Sequence, residues 1–394
     1  MAERAATRAA EAATASPGIS YIEMREHLCR REQTCRAGVF GIGLAAYWPQ
    51  FSGLKERLLG HQRYVEEGIR QRGLEVLSAG LVDTPQAARQ AGELLATSQV
   101  QIVFCYAATY ATSSQVLPIA QAVKVPTVVL NLQPIPALDY AHTDTGEWLA
   151  NCTVCAVPEI ANAFLRAGIP FHVVSGELQA TDAWQEISEW CAAARAATAL
   201  RKSRIGFLGH TYPGMLDIYS DFTAVQTQTG AHIEVLEMCD LQKLVDQVSE
   251  CDIEREKERA RAQFVFEGDV TEADFNWAAR VSVGLSRLVR EYALDGLTYY
   301  YRGLDGNPYE RLGAGLTLGN SFLTGVGIPA SGEGDLKTCL AMMLMDRLEA
   351  GGSYTEFYAM DFQEQFVLMG HDGPGHIAIA EGKPVLRGLG LYHG

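Results

Sequence analysis

Short apolar runs that alternate with helical periodicity constrain this chain more than any other feature. The run GVFGIGLAA at 38–46 is bounded by turn residues, the pattern of a parallel strand buried on both faces. After it Leu54, Leu58, Leu59, Tyr64, Val65 and Ile69 recur at helical spacing, and Gly73 is placed to stop that helix. LEVLSAGLVDTP, VQIVFCYAATYA and VPTVVLNLQP read as the next strands, with PQAARQAGELLATSQ and SSQVLPIAQAVK as the helices between them. This rhythm predicts a doubly wound α/β domain over 19–170, with ligands at the carboxyl ends of its strands. The loops to watch are 47–50, 106–113 and 131–134.

A second series occupies 171–324. FHVVSGEL reads as its first strand, a helix follows over 182–200, and RKSRIGFLGHTYPGMLDIYSD restarts the strand-then-loop theme. AHIEVLEMCDL is a further strand, CDIEREKERARAQF a solvated helix, and VSVGLSRLVREYALDGLTYYY a helix running into a strand. No internal repeat recurs at a fixed period. The expected fold is α/β: two doubly wound parallel-sheet domains, then a β-rich C-terminal domain over 325–394 that carries a metal site. Residues 1–18, rich in alanine, are expected to be a disordered tail.

Charge narrows the partners. The net charge of −15, from 47 acidic and 32 basic residues, repels phosphate backbones and anionic lipid, and no basic stretch offsets it. Neither nucleic acid nor membrane is an expected partner. No apolar run approaches the ~20 residues that span a bilayer, and the opening segment lacks a signal-peptide core. The nine cysteines are scattered, mostly in apolar runs such as those around Cys105 and Cys339, and read as reduced thiols of a cytoplasmic protein. Cys152 and Cys155 have the spacing of half a zinc site or a redox pair, but with no second CxxC they read as buried thiols. GVFGIG lacks the third glycine of a dinucleotide fingerprint, so no nucleotide cofactor is expected.

The chemistry concentrates in 331–376, SGEGDLKTCLAMMLMDRLEAGGSYTEFYAMDFQEQFVLMGHDGPGH. Glu333 falls in the loop entering a helix over 335–347, which Gly351 and Gly352 stop. Alternation in SYTEFYAMDF places Tyr354, Glu356, Tyr358 and Met360 on one inward face, and QFVLMG is a strand that delivers His371. A carboxylate in so apolar a strand is costly to bury unless a cation compensates it. Two carboxylates and one imidazole on separate elements suit a divalent ion such as Mn²⁺, Mg²⁺ or Co²⁺. Each residue also has a plainer role open to it: a helix-terminus carboxylate, a cross-strand ion-pair partner, or a turn histidine bonded to backbone.

At these residues the sequence resembles the L-arabinose isomerase and L-fucose isomerase superfamily, in its arabinose-isomerase-like branch. GEGDLKT is similar to the loop whose glutamate is both ligand and catalytic residue, here Glu333. SYTEFY resembles the second glutamate motif, which falls on Glu356, with Tyr358 at the place of an active-site tyrosine. GHDGP resembles the segment supplying a histidine ligand, here His371. RIGFLGHTYPGMLD resembles the start of the family's central domain, and YWPQFSGL and LNLQP fall where its amino-terminal domain contributes substrate contacts, here Tyr47, Trp48, Gln50 and Gln133.

The resemblance implies an aldose–ketose isomerase that moves a proton through a cis-enediol of a pentose or hexose. Its implied metal ligands are Glu333, Glu356 and His371 on Mn²⁺, its catalytic pair Glu333 and Glu356, and its assembly a trimer or hexamer in which a neighbour lends the amino-terminal loop. A second histidine ligand is also implied, in a C-terminal β-barrel, and the sequence ends at Gly394. That leaves a chain lacking the C-terminal part, an incomplete site, or His376 or His393 in the second histidine's place. Two other readings stand beside it: a non-catalytic sugar-binding or regulatory protein of the same fold, and a glycoside hydrolase using the two glutamates.

Overall fold

The computed structural model describes residues 34–388, which form two compact units, Thr34–Thr198 and the residues from Ala199 onward. The tail expected at 1–18 and the candidate ligand His393 lie outside the described residues.

In the first unit β1 (Arg36–Ile42), β2 (Glu75–Val82), β3 (Ile102–Tyr106), β4 (Thr127–Gln133) and β5 (Phe171–Glu177) form one parallel sheet in the order β2-β1-β3-β4-β5. The apolar runs are continuous because both faces of the inner strands are covered. On one face α1 (Leu54–Arg70) lays Leu58, Val65 and Ile69 against Val39, Phe104 and Leu130. On the other, α2 (Pro85–Thr97), α3 (Leu117–Val123) and, beyond the short α4 (Thr145–Asn151), α5 (Ala156–Ala167) pack Leu95, Ile119 and Phe164 against Phe40, Cys105 and Val129. Thr84 starts α2 by accepting the Ala87 N–H at 3.1 Å, with Pro85 at the first helical position.

FHVVSGEL does not open a second domain. As β5 it pairs with β4 from Phe171 to Glu177, because the crossover through α4 and α5 returns it to the same sheet. The division between units therefore falls near the end of α6 (Thr181–Arg201), at 198/199 instead of 170/171.

From Ala199 onward a second parallel sheet is built from β6 (Arg204–Gly209), β7 (His232–Leu236), β9 (Gly296–Tyr300) and β10 (Ala330–Ser331), in the order β10-β9-β6-β7. The helices of this unit are α7 (Phe222–Thr229), α8 (Met238–Asp246), α9 (Glu250–Gln263), α10 (Glu272–Glu291), α11 (Glu310–Ala314), α12 (Leu316–Gly325) and α13 (Leu336–Arg347). Leu336, Cys339 and Met343 of α13 pack on Ile205 of β6. The residues from 325 are thus not a separate β-rich domain: β10 and α13 complete the second sheet. What remains is a hairpin of β11 (Glu356–Asp361) and β12 (Phe366–Gly370), and β13 (Val385–Leu386) paired with β8 (Val265–Phe266).

Among the described residues no single helix is long and apolar enough to cross a membrane; α4 and α5 pass that test only together, across a 45° bend. Cys105, Cys152, Cys191 and Cys339 are buried free thiols and Cys155, Cys239 and Cys251 exposed ones, so CTVC is half buried thiol and half surface thiol.

Phe164 is fully buried and its ring centroid lies 5.4 Å from that of Phe171 on β5. Phe164→Ala is expected to cost roughly 3–5 kcal/mol of unfolding free energy, measured by urea denaturation, as a cavity in a shared core does. A loss near zero would mean that β5 does not pack there.

Candidate functional site

Glu333 follows the edge strand β10 in a loop formed by unusually close backbone approaches. Its own φ is +60° and that of Gly334 is +70°, the left-handed region that a non-glycine residue enters only when its surroundings hold it there. Three contacts hold it. Tyr212 donates its backbone N–H to the Glu333 carbonyl at 2.8 Å, Gly334 donates to the Tyr299 carbonyl at 3.0 Å, and Asp335 donates to Gly332 at 3.0 Å. A Cβ at Gly334 would come within 2.7 Å of the His210 carbonyl oxygen, and one at Gly332 within 2.9 Å of the Tyr354 ring. Asp335 then caps α13 by accepting from the Thr338 N–H at 3.0 Å and hydroxyl at 2.6 Å. The motif GEGD is therefore a tight backbone turn that projects one carboxylate from the carboxyl end of the sheet.

His371 reaches that carboxylate from the end of β12, with its Nε2 3.9 Å from Glu333 Oε1. Its Nδ1 lies 2.7 Å from the Asp372 carbonyl oxygen, which can only accept, so Nδ1 carries a proton and, in the neutral imidazole, Nε2 presents a lone pair. Tyr354 donates its hydroxyl to the other carboxylate oxygen, Oε2, at 3.0 Å. Its ring also lies against His371, centroids 4.5 Å apart. Burial, and then the Glu333 charge, push the Tyr354 phenol well above its usual range, which keeps it a donor. With the imidazole neutral, a carboxylate oxygen and a ring lone pair thus face each other.

Such a pair calls for a cation. An ion bonded at about 2.1 Å to each donor spans separations up to about 4.2 Å, so the pair fits two positions on one divalent ion. A histidine whose other ring N–H is fixed on a carbonyl is the usual form of such a ligand.

The third expected ligand does not join them. Glu356 stands exposed at the start of β11, and among the described residues no group of three or more His, Cys, Asp and Glu side chains is placed to hold one metal ion. The expected inward face fails for a geometric reason. The β11–β12 register shifts between Phe357 and Ala359, leaving Tyr358 as an extra residue, and the two-stranded sheet exposes Phe357, Tyr358 and Met360 alike. Glu356 is still close enough for its charge to bear on Tyr354 and Tyr358. His376 is buried elsewhere, with Asp346 as its charged neighbour.

Several residues around Glu333 were not anticipated. Tyr354 lies just before the strand. His210 and Tyr212, in the loop after β6, stack near Tyr300 with ring centroids 5.2 Å and 4.8 Å away. The charge of Glu333 helps raise the Tyr300 phenol, after burial and Tyr212, and burial pushes Tyr299 up to about 12. The signal for His210, Tyr212, Tyr299 and Tyr300 was the position of HTYPG and TYYY at the carboxyl ends of β6 and β9.

The proposed substrate contacts of the amino-terminal half lie in the first unit. Tyr47 packs edge-on against Trp48 and Phe51, and the Trp48 indole donates to Asp83 at 2.7 Å. Gln50 is exposed and bonded to its own turn, through Ala46. Gln133 ends β4 beside Asn131, Thr153 and Glu177 in a cavity of about 280 Å³.

No protein-family model matches the chain. Curated relatives do: an L-arabinose isomerase of Acidothermus cellulolyticus is 25% identical over 287 residues, 71% of this chain and 56% of that protein. One of Yersinia pestis is 27% identical over 201 residues, 48% of this chain and 39% of that protein. This chain is a distant relative of the L-arabinose isomerases. It spans about half the length of the curated isomerases it matches, or less. Among solved structures, a periplasmic solute-binding protein from Actinobacillus succinogenes with bound D-allose is 12% identical at a TM-score of 0.21, covering 76% of this chain and 78% of its own. Another from Burkholderia multivorans is 12% identical at 0.23, covering 81% and 96%. Scores so low carry no argument about fold or ligand.

Gly334→Ala places a methyl group against the His210 and Thr211 backbone in a left-handed residue. It is expected to destabilise the protein by about 1–3 kcal/mol in thermal unfolding. An unchanged melting temperature would mean that the loop is not held as described.

Proposed function

We propose that this protein is a divalent-metal-dependent aldose–ketose isomerase acting on a pentose or hexose, with Glu333 and His371 as the fixed part of its metal site. The observation that carries the reading is the facing pair Glu333 Oε1 and His371 Nε2, 3.9 Å apart, with His371 Nδ1 on the Asp372 carbonyl and the Tyr354 hydroxyl on Glu333 Oε2. The relationship to L-arabinose isomerases supports it. Glu356 is the proposed third ligand, brought in by movement at the exposed start of β11, and Mn²⁺ the proposed ion.

A divalent ion held there supplies Lewis acidity to the carbonyl and adjacent hydroxyl of an open-chain sugar. The chain's own residues do the rest. Glu333 and Glu356 share the ligand and acid–base roles: one carboxylate would remove the proton from C2 and return it to C1 of the cis-enediol, while the other would give a proton to O1 and take one from O2. Tyr358, near Glu356, and Tyr300 and His210, near Glu333, would orient hydroxyl groups. Tyr47, Trp48, Gln50 and Gln133 would contact sugar bound by a neighbouring copy of a homo-oligomer.

A second reading, a sugar-binding or regulatory protein without catalysis, is favoured by one observation: Glu356 stands outside the pair. The two are separated by L-arabinose and a panel of other aldoses incubated with the protein and Mn²⁺ and followed by NMR. The expected result is ketose formation that Glu333→Gln abolishes and Glu356→Gln lowers at least about 10²-fold, the range of one acid–base group. Sugar binding without any turnover in the unaltered protein would favour the second reading. Equal turnover in Glu333→Gln would remove Glu333 from the chemistry.

A further inference from the structure

We infer that Tyr354 is the positioning residue of the Glu333–His371 pair, a role that rests on the isomerase reading above. The two donors come from separate segments, the loop after β10 and the end of β12, and Tyr354 touches both. It lies in the connection between α13 and β11 and is 6% exposed. Its ring packs over Gly332, where any Cβ would collide with it, so the glycine before Glu333 is the seat on which the phenol rests. From that seat the hydroxyl holds Glu333 Oε2 at 3.0 Å, and the ring flanks the His371 imidazole at 4.5 Å with a 50° tilt.

The consequence is a division of the carboxylate. Glutamate's terminal torsion is soft, so a carboxylate on a loop turns freely unless one oxygen is tethered. Tyr354 tethers Oε2, and Oε1 is left facing Nε2. Tyr212 does not duplicate this, because its recorded bond to Glu333 runs from backbone to backbone. Phenylalanine at 354 would keep the ring on Gly332 and His371 and delete only the tether. Leucine would delete both supports.

The test uses the full chain, stripped of metal, with MnCl₂ titrated calorimetrically into the unaltered protein, Tyr354→Phe and Tyr354→Leu, alongside sugar kinetics. Tyr354→Phe is expected to melt like the unaltered protein yet bind Mn²⁺ about 10–100-fold more weakly, the usual cost of losing a group that orients a ligand. Its kcat is expected to fall while KM stays within about twofold, since the sugar's own contacts are untouched. Tyr354→Leu is expected to bind Mn²⁺ more weakly still. Tyr354→Phe binding Mn²⁺ as tightly as the unaltered protein overturns the positioning role and leaves the isomerase reading standing. An unaltered protein that binds no Mn²⁺ overturns both.

Discussion

A carboxylate oxygen and an imidazole nitrogen held face to face are the interaction on which the site depends. Glu333 Oε1 and His371 Nε2 stand 3.9 Å apart, and the geometry around them keeps them there. The Asp372 carbonyl selects the imidazole tautomer and Tyr354 takes the other carboxylate oxygen. Each of these bonds fixes how one partner faces the other. With the imidazole neutral, a cation between them gains a bond on each side, which is the sense in which the site suits a cation.

The backbone below supplies the rigidity. A glutamate at φ +60° is strained, and it persists because the loop is clamped between the carbonyl of Tyr299 and the backbone of His210 to Tyr212. Those clamping residues sit at the carboxyl ends of neighbouring parallel strands, where a doubly wound sheet presents its loops on one edge. The fold and the candidate chemistry therefore meet at a single turn. The glycines on either side of Glu333 are there for space: one lets Tyr354 approach and the other lets the β6 loop approach.

Much of this was legible in the sequence, and the failures have identifiable physical causes. Buried parallel strands must be apolar along their whole length, so the runs at 38–46 and 102–106 announced themselves. FHVVSGEL was misassigned because a half-exposed edge strand reads the same whether it closes one sheet or opens the next. Only the crossover through α4 and α5 decides it. The alternation that placed Glu356 and Tyr358 on one inward face assumed a regular pleat with a core beside it. The bulge at Tyr358 and the lack of a third strand among the described residues break both assumptions. Tyr354 escaped notice as a site residue because its contact with Glu333 is set by a glycine's missing side chain, a relation that no spacing rule encodes.

The central claim is that one divalent ion sits between Glu333 and His371, and anomalous diffraction from a crystal soaked in Mn²⁺ tests it most directly. The account predicts a manganese peak within bonding distance of both Glu333 Oε1 and His371 Nε2, with Tyr354 still on Oε2. A crystal that shows the two side chains as described with no peak between them, or with manganese bound only elsewhere, would contradict it.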